Sequence, residues 1–168
     1  MSEGGRRSPS ACGAPNLDIG KPVVRKGFAY VTHGRRLLIF SHPLEPEAGL
    51  QVPAGTLLDG ELPAAGALRE AQEETGLTGL RIVRSLGEVK FDRANYDGIG
   101  ETHHRFFFHV VCDGEPPERW RHYDPDPSDG SEPPLFEFWW VRMPHDVPPL
   151  IAGHGDMLPA LFKALALA

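Results

Sequence analysis

At 168 residues the chain is long enough for one domain with a substantial core. Its 40% hydrophobic content suits a globular protein, and its longest apolar runs fall far short of a membrane span. The net charge of −6 argues against broad nucleic-acid binding and means that overall charge does not draw in an anionic ligand.

Residues 1–20 are rich in Gly, Ser, Pro and Arg and lack the apolar stretch of a signal peptide, so they read as a mobile tail before a domain spanning 21–168. The two cysteines, Cys12 and Cys112, make no disulfide framework; reduced thiols in the cytoplasm are the simple expectation. Residues 23–32 read as a strand, and His33-Gly34 turns the chain into a second over 36–41. Residues 42–49 form a loop with two prolines and two glutamates, and 51–53 a short strand leading into Pro53-Ala54-Gly55.

A helical pattern begins at Pro63 and ends at Gly76, with proline suited to the first turn and glycine to the left-handed residue past the last. At 3.6 residues per turn, Ala64, Ala65, Leu68, Ala71 and Thr75 are expected on one side and Glu70, Glu73 and Glu74 on the other. The carboxylates repel at the i+3 and i+4 spacings by roughly 0.2–0.5 kcal/mol per exposed pair, and they crowd the end where the helix dipole disfavours anions. Arg69 precedes Glu73 by four residues, the weaker order for an ion pair. A solvated acidic face is one reading; a divalent cation that draws the three together is the other. The scarcity of opposing charge and the nearby Gly55, where backbone can approach closely, favour the cation.

Residues 80–91 read as one long strand or two short ones, broken near Gly87, and 92–101 as a polar loop. The clearest strand covers 102–113. His104, Phe106, Phe108 and Val110 share one face, while His103, Arg105, Phe107, His109 and Val111 share the other. Apolar residues on both faces place this strand centrally. His103 and His104 point opposite ways and do not bind one metal together; each is a pocket-lining or hydrogen-bonded histidine. Residues 114–134 form a long acidic, proline-rich segment without predicted structure. Within it Trp120, between Arg119 and Arg121, either stacks a base while arginine meets phosphate or anchors the segment to the core. A strand over 136–142 places Trp139 and Trp140 on opposite faces. An amphipathic helix over 156–167 carries Leu158, Leu161, Phe162 and Leu165 on one side.

Gly55, Glu61, Arg69, Glu70, Glu73, Glu74, Gly76 and Leu77 match at the right spacing the signature of the Nudix hydrolases, Gx5Ex7REUxEExGU with U a bulky aliphatic. Ala71 is the one departure, small for its U position. Residues 50–54 and a later strand with Glu137 and Trp140 are weaker family-like features. The resemblance implies an α/β/α sandwich around a mixed β-sheet and hydrolysis of a nucleoside diphosphate linked to another group. It implies that Glu70, Glu73 and Glu74, with the Ala54 carbonyl, bind Mg²⁺ or Mn²⁺, and that Glu61 and Arg69 hold the helix and its approaching loop. Homodimers are frequent in the family, and nothing in this sequence announces an interface.

The chemistry suits such a cluster. A diphosphate repels attacking water until metal ions neutralise its oxygens, and Mg²⁺ takes a few carboxylates while keeping open positions. Structural zinc prefers Cys and His, whereas Mn²⁺ accepts oxygen ligands as well. Glu73 is the favoured general base within the motif; Glu101 and Glu132, in polar loops, are candidates outside it. Arg105, His103, His104 and Trp120 are candidates for contact with a small, nucleotide-like substrate. Two other functions compete. A nucleotide sensor without turnover has no need of three glutamates, and an isoprenoid-diphosphate isomerase wants a catalytic cysteine, for which only Cys112 could serve.

Overall fold

The computed structural model describes residues 20–125, 127 and 130–167. The expected tail therefore lies, but for Gly20, outside the described residues, as does Cys12. Alternation along β1 (Val23–His33) organises the rest: Ala29 and Val31 enter one apolar cluster, Phe28 and Tyr30 another. β2 (Arg36–Ser41) alternates the same way, with Leu38 and Phe40 on one side and Leu37 and Ile39 on the other. Each cluster is closed by a helix. α1 (Pro63–Thr75) contributes Ala67 and Ala71 to the first, and α2 (Leu158–Ala164) contributes Leu161 to the second. The result is a sheet between two helical layers.

The seven-stranded sheet runs β4 (Leu80–Asp92), β5 (Thr102–Cys112), β1, β2, β7 (Leu135–Arg142), β6 (Arg119–Tyr123), with β3 (Ala54–Thr56) paired to β1. β1 and β5 are parallel, Val23 opposite Thr102 through Thr32 opposite Val111; the other pairings are antiparallel, so the sheet is mixed. β5 lies between β4 and β1, as its doubly apolar pattern predicts.

Two strand expectations change. The short strand before the motif is Ala54–Thr56, not 51–53; Gln51 makes only an isolated bridge to Phe40. The stretch 114–134 contains β6, which pairs with β7 from Arg119 opposite Trp139 to Tyr123 opposite Leu135. Its exposed–half-buried alternation reads as polar loop because an edge strand covers only one face. β4 is one strand whose irregularities lie between Ile82 and Arg84 and between Ser85 and Gly87. The C-terminal helix keeps its predicted apolar side but is shorter, Leu158–Ala164. Among the described residues no helix is long and apolar enough to cross a membrane.

Candidate active site

α1 begins at Pro63 and ends against Gly76, which adopts a left-handed φ of 68° and donates its N–H to the Gln72 carbonyl. The register differs from the expected one. Glu70 and Glu74 are buried, at 4% and 7% exposure, while Ala65 is exposed and Glu73 half-buried. The carboxylates thus do not oppose the core-facing stripe. They turn inward, towards the β3 approach. Glu74 Oε2 accepts the Ala54 N–H at 3.1 Å. A Cβ on Gly55 would lie 1.9 Å from Glu70 Oε2, so the motif glycine is the space that the Glu70 carboxylate occupies.

Arg69 organises the acids. Its Nε and Nη2 grip Glu61 at 2.8 and 2.9 Å, its Nη1 donates to Glu70 Oε1 at 2.9 Å and Glu73 Oε2 at 3.0 Å, and Nη2 also reaches the Thr56 carbonyl at 3.2 Å. Glu61 further accepts the Leu58 N–H at 2.8 Å. The Arg69 hydrogen bonds hold the Glu61 carboxyl down at about 2. Burial pushes Glu70 and Glu74 the other way, and each is raised further by acidic neighbours: Glu73 and Asp124 beside Glu70, Glu70 and Asp124 beside Glu74. Asp124, buried just after β6, is thus a further acid at this site that sequence reading missed. Its place depends on the unpredicted β6.

Lys26 was missed too. Its ammonium donates to Thr56 Oγ1 at 2.7 Å, and burial lowers its pKa against the pull of Glu70 and Glu101. The available signal was a lysine set within an apolar strand. Among the described residues no three acidic, imidazole or thiol groups close into a ready-made metal cage. The donor set nonetheless fits a hard cation: two buried, mutually repelling carboxylates with Lys26 as the further cation near Glu74, and oxygen as the only ligand type.

The other candidates divide. His103 and Arg105 share a face of β5 and line a cavity of about 520 Å³ with Phe91, Tyr96 and His154. His103 Nε2 meets Glu101 Oε1 at 2.9 Å, and Arg93 donates to the same oxygen at 2.7 Å. Those two partners hold Glu101 below the usual carboxylate range, which makes it a poor general base. His104 points away, paired with Glu88 at 2.7 Å and tilted against the Phe106 ring, and does not line that cavity. Glu132 borders a different cavity, beside His42 and Leu135.

Trp120 is an anchor in this structure. Its Nε1 donates to the Thr75 carbonyl at 2.8 Å and its ring stacks on Phe138 with centroids 5.2 Å apart. Arg119 and Arg121, which the base-stacking reading would turn to phosphate, both pair with Glu137 at 2.9 and 3.2 Å. Cys112 is buried at the far end of β5, in a separate cavity with Trp120 and His122 that none of the motif glutamates lines, which counts against the isomerase alternative.

Known proteins resemble this chain in sequence over part of its length and in fold over most of it. The curated RNA pyrophosphohydrolases of Brucella ovis and Brucella melitensis are 40% identical over 80 residues, which are 47% of this chain and 42% of theirs, so the chain spans under half the length of these relatives. Among solved structures, a UDP-X diphosphatase superposes with a TM-score of 0.61 at 15% identity, over 90% of this chain and 66% of that one. A NUDIX hydrolase from Nitrosomonas europaea gives 0.58 at 20% identity, over 86% and 90%. A C. elegans Ap4A hydrolase complex gives 0.58 at 18%, over 85% and 98%. At these identities the superpositions show a shared fold. The family model described as NUDIX domain matches residues 23–161, which takes in both sheet faces and the whole acidic helix. The chain belongs to the Nudix hydrolase family.

Proposed function

We propose that this protein is a divalent-metal-dependent hydrolase that cuts the phosphoanhydride of a nucleoside diphosphate linked to another moiety. The observation that carries this reading is the buried Glu70–Glu74 pair, two carboxylates placed where burial and mutual repulsion disfavour their charge. Such a pair is expensive for the fold alone and useful to a cation. Glu70 and Glu74, with the Ala54 carbonyl, would hold Mg²⁺ or Mn²⁺, and substrate phosphate oxygens would complete the shell. When bound, the metal supplies charge neutralisation at the phosphates and a more acidic water.

The chain's own residues supply the rest. Glu73, with a side chain 35% exposed, is the carboxylate that solvent reaches, and its role is to accept the proton of the attacking water. Arg69 fixes Glu61, Glu70 and Glu73 in one geometry. Lys26, beside Glu70 and Glu74, is placed to meet the charge of the bound diphosphate. The unpaired, buried Cys112 supports work in a reducing compartment such as the cytoplasm. A second reading, removal of pyrophosphate from RNA, draws support from the name of the Brucella relatives.

The test is a screen of sugar nucleotides, dinucleoside polyphosphates, ADP-ribose, NADH, nucleoside triphosphates and 5′-triphosphorylated RNA with Mg²⁺ or Mn²⁺, reading phosphate or nucleotide release. Glu70→Gln and Glu74→Gln should each lower turnover at least about 100-fold in a folded protein, since each removes charge from the metal and transition state. Turnover that survives both changes would rule out this site.

A further inference from the structure

β6 lies against the last turns of α1, and its alternation decides which side chains face the helix. Arg119, Arg121 and Tyr123 are exposed, Trp120 and His122 are half-buried, and Asp124, the residue after the strand, is 6% exposed. Trp120 Nε1 donates to the Thr75 carbonyl at 2.8 Å and His122 Nδ1 to the Glu74 carbonyl at 2.9 Å, so the strand runs back along the helix as its numbering rises. The ladder to β7 persists at the next residue, where the Asp124 N–H donates to the Pro134 carbonyl at 3.2 Å. Asp124 therefore continues the row of Trp120 and His122. Two residues of strand advance about 6.6 Å, a little over one helical turn of about 5.4 Å. That step brings Asp124 level with the turn that carries Glu70.

Glu70, Glu74 and Asp124 are then three buried carboxyls, from two elements, turned to one region. The charge of Asp124 disfavours ionisation of both glutamates. Arg69 offers Glu70 one nitrogen, Nη1, which also serves Glu73, and its other edge is bound to Glu61. Lys26 is the further cation near Glu74, and its ammonium is hydrogen-bonded to Thr56. Packing alone does not call for an acid at position 124, since a neutral residue there would relieve the repulsion. A divalent cation does call for one. Mg²⁺ takes about six oxygen ligands, and Glu70, Glu74 and the Ala54 carbonyl leave positions open. The expectation of a cation does not depend on Asp124, because it comes from the family to which the chain belongs.

We propose, on the footing that the glutamate cluster holds the metal, that Asp124 is a further ligand of that cation and that metal binding thereby ties β6 to α1. Among the described residues no three acidic groups stand at ligand distances, so the ion has to draw the two elements together. The Trp120 and His122 hydrogen bonds already hold β6 against the end of α1. A cation bound by both elements adds a link that exists only in the loaded protein. The acidic, proline-rich stretch 114–134 is then coupled to the metal, and its order rises as the site fills.

Calorimetry of the full chain with Mn²⁺ alone tests this in three proteins: the parent, Asp124→Asn and Glu70→Gln. Asp124→Asn should weaken Mn²⁺ binding by at least about 10-fold, as loss of a carboxylate ligand does. A smaller loss, in the range of a charge acting from a distance, overturns the assignment. Without metal, Asp124→Asn should melt at or above the parent, because one of three mutually repelling carboxyls is gone. A lower metal-free Tm with unchanged Mn²⁺ affinity would make Asp124 an anchor of its own segment instead. Should that variant not fold, the unaltered protein decides. Saturating Mg²⁺ should slow hydrogen exchange at the amides of 119–124 by at least about 10-fold, and exchange indifferent to Mg²⁺ overturns the tie. A parent that takes up no Mn²⁺ removes the metal site itself. Uptake that Glu70→Gln abolishes and Asp124→Asn leaves intact keeps the site and removes Asp124 from it.

Discussion

Glu61 and Arg69 form the tightest polar junction of the site, two charge-assisted bonds at 2.8 and 2.9 Å on the planar edge of one guanidinium. Glu61 has a folded pKa of about 2 against an ordinary 4.5, so the pair's contribution to stability is complete above about pH 4.5 and is lost as pH falls towards 2. Glu61→Gln should therefore lower Tm at pH 7 by several degrees, the effect of about 1–3 kcal/mol in a chain of this size. Thermal melts across pH 7 to pH 2 check it: the gap between variant and parent should close in acid. A gap that stays constant with pH would show that the loss is steric rather than ionic.

At the scale of elements, β6 and α1 are joined where the helix needs it. The last carbonyls of a helix have no partner within it. Here Trp120 Nε1 donates to the Thr75 carbonyl at 2.8 Å, His122 Nδ1 meets the Glu74 carbonyl at 2.9 Å, and Gly76 closes on Gln72. The long acidic segment thus helps hold the turn that carries two of the three glutamates of α1. Trp120→Phe keeps the stacking on Phe138 and removes one hydrogen bond, so it should cost about 1 kcal/mol and lower Tm by about 2–4 °C. KM for a base-containing substrate should not change, because the ring packs against core. A raised KM with an unchanged Tm would return Trp120 to the substrate pocket.

For the whole molecule, the acidic helix is a local conflict that the fold tolerates. Glu70 and Glu74 sit in the layer between α1 and the sheet, with Lys26 as the further cation near Glu74. A ligand that binds the folded state alone stabilises it by mass action, about 2.7 kcal/mol at a hundred times its Kd. Saturating Mg²⁺ or Mn²⁺ should accordingly raise Tm by roughly 5–10 °C. Glu74→Gln should melt at or above the metal-free parent, since it removes a buried charge, and should lose most of the metal-induced shift. Differential scanning calorimetry at fixed ionic strength separates these outcomes, and an Mg²⁺ shift undiminished in Glu74→Gln would place the cation elsewhere.

The chain order of residues was enough to locate the acidic helix, its Pro63 start and Gly76 stop, the central strand with its two faces, and the motif around Gly55. Those features are local: a helix period, a strand period and a spacing of charges all lie within a few turns of chain. The direction in which Glu70 and Glu74 point was not local, because both β1 and β3 pack against α1 and settle which of its sides is inside. β6 escaped notice for a related reason, being an edge strand recognisable only by its pairing with β7. The Arg105 cavity likewise depends on residues 58 apart in the chain, Glu47 and Arg105, and on Ala152 and His154 from beyond β7. Long-range packing, which no stretch of sequence carries by itself, decided which charges are buried together and which are left to receive a ligand.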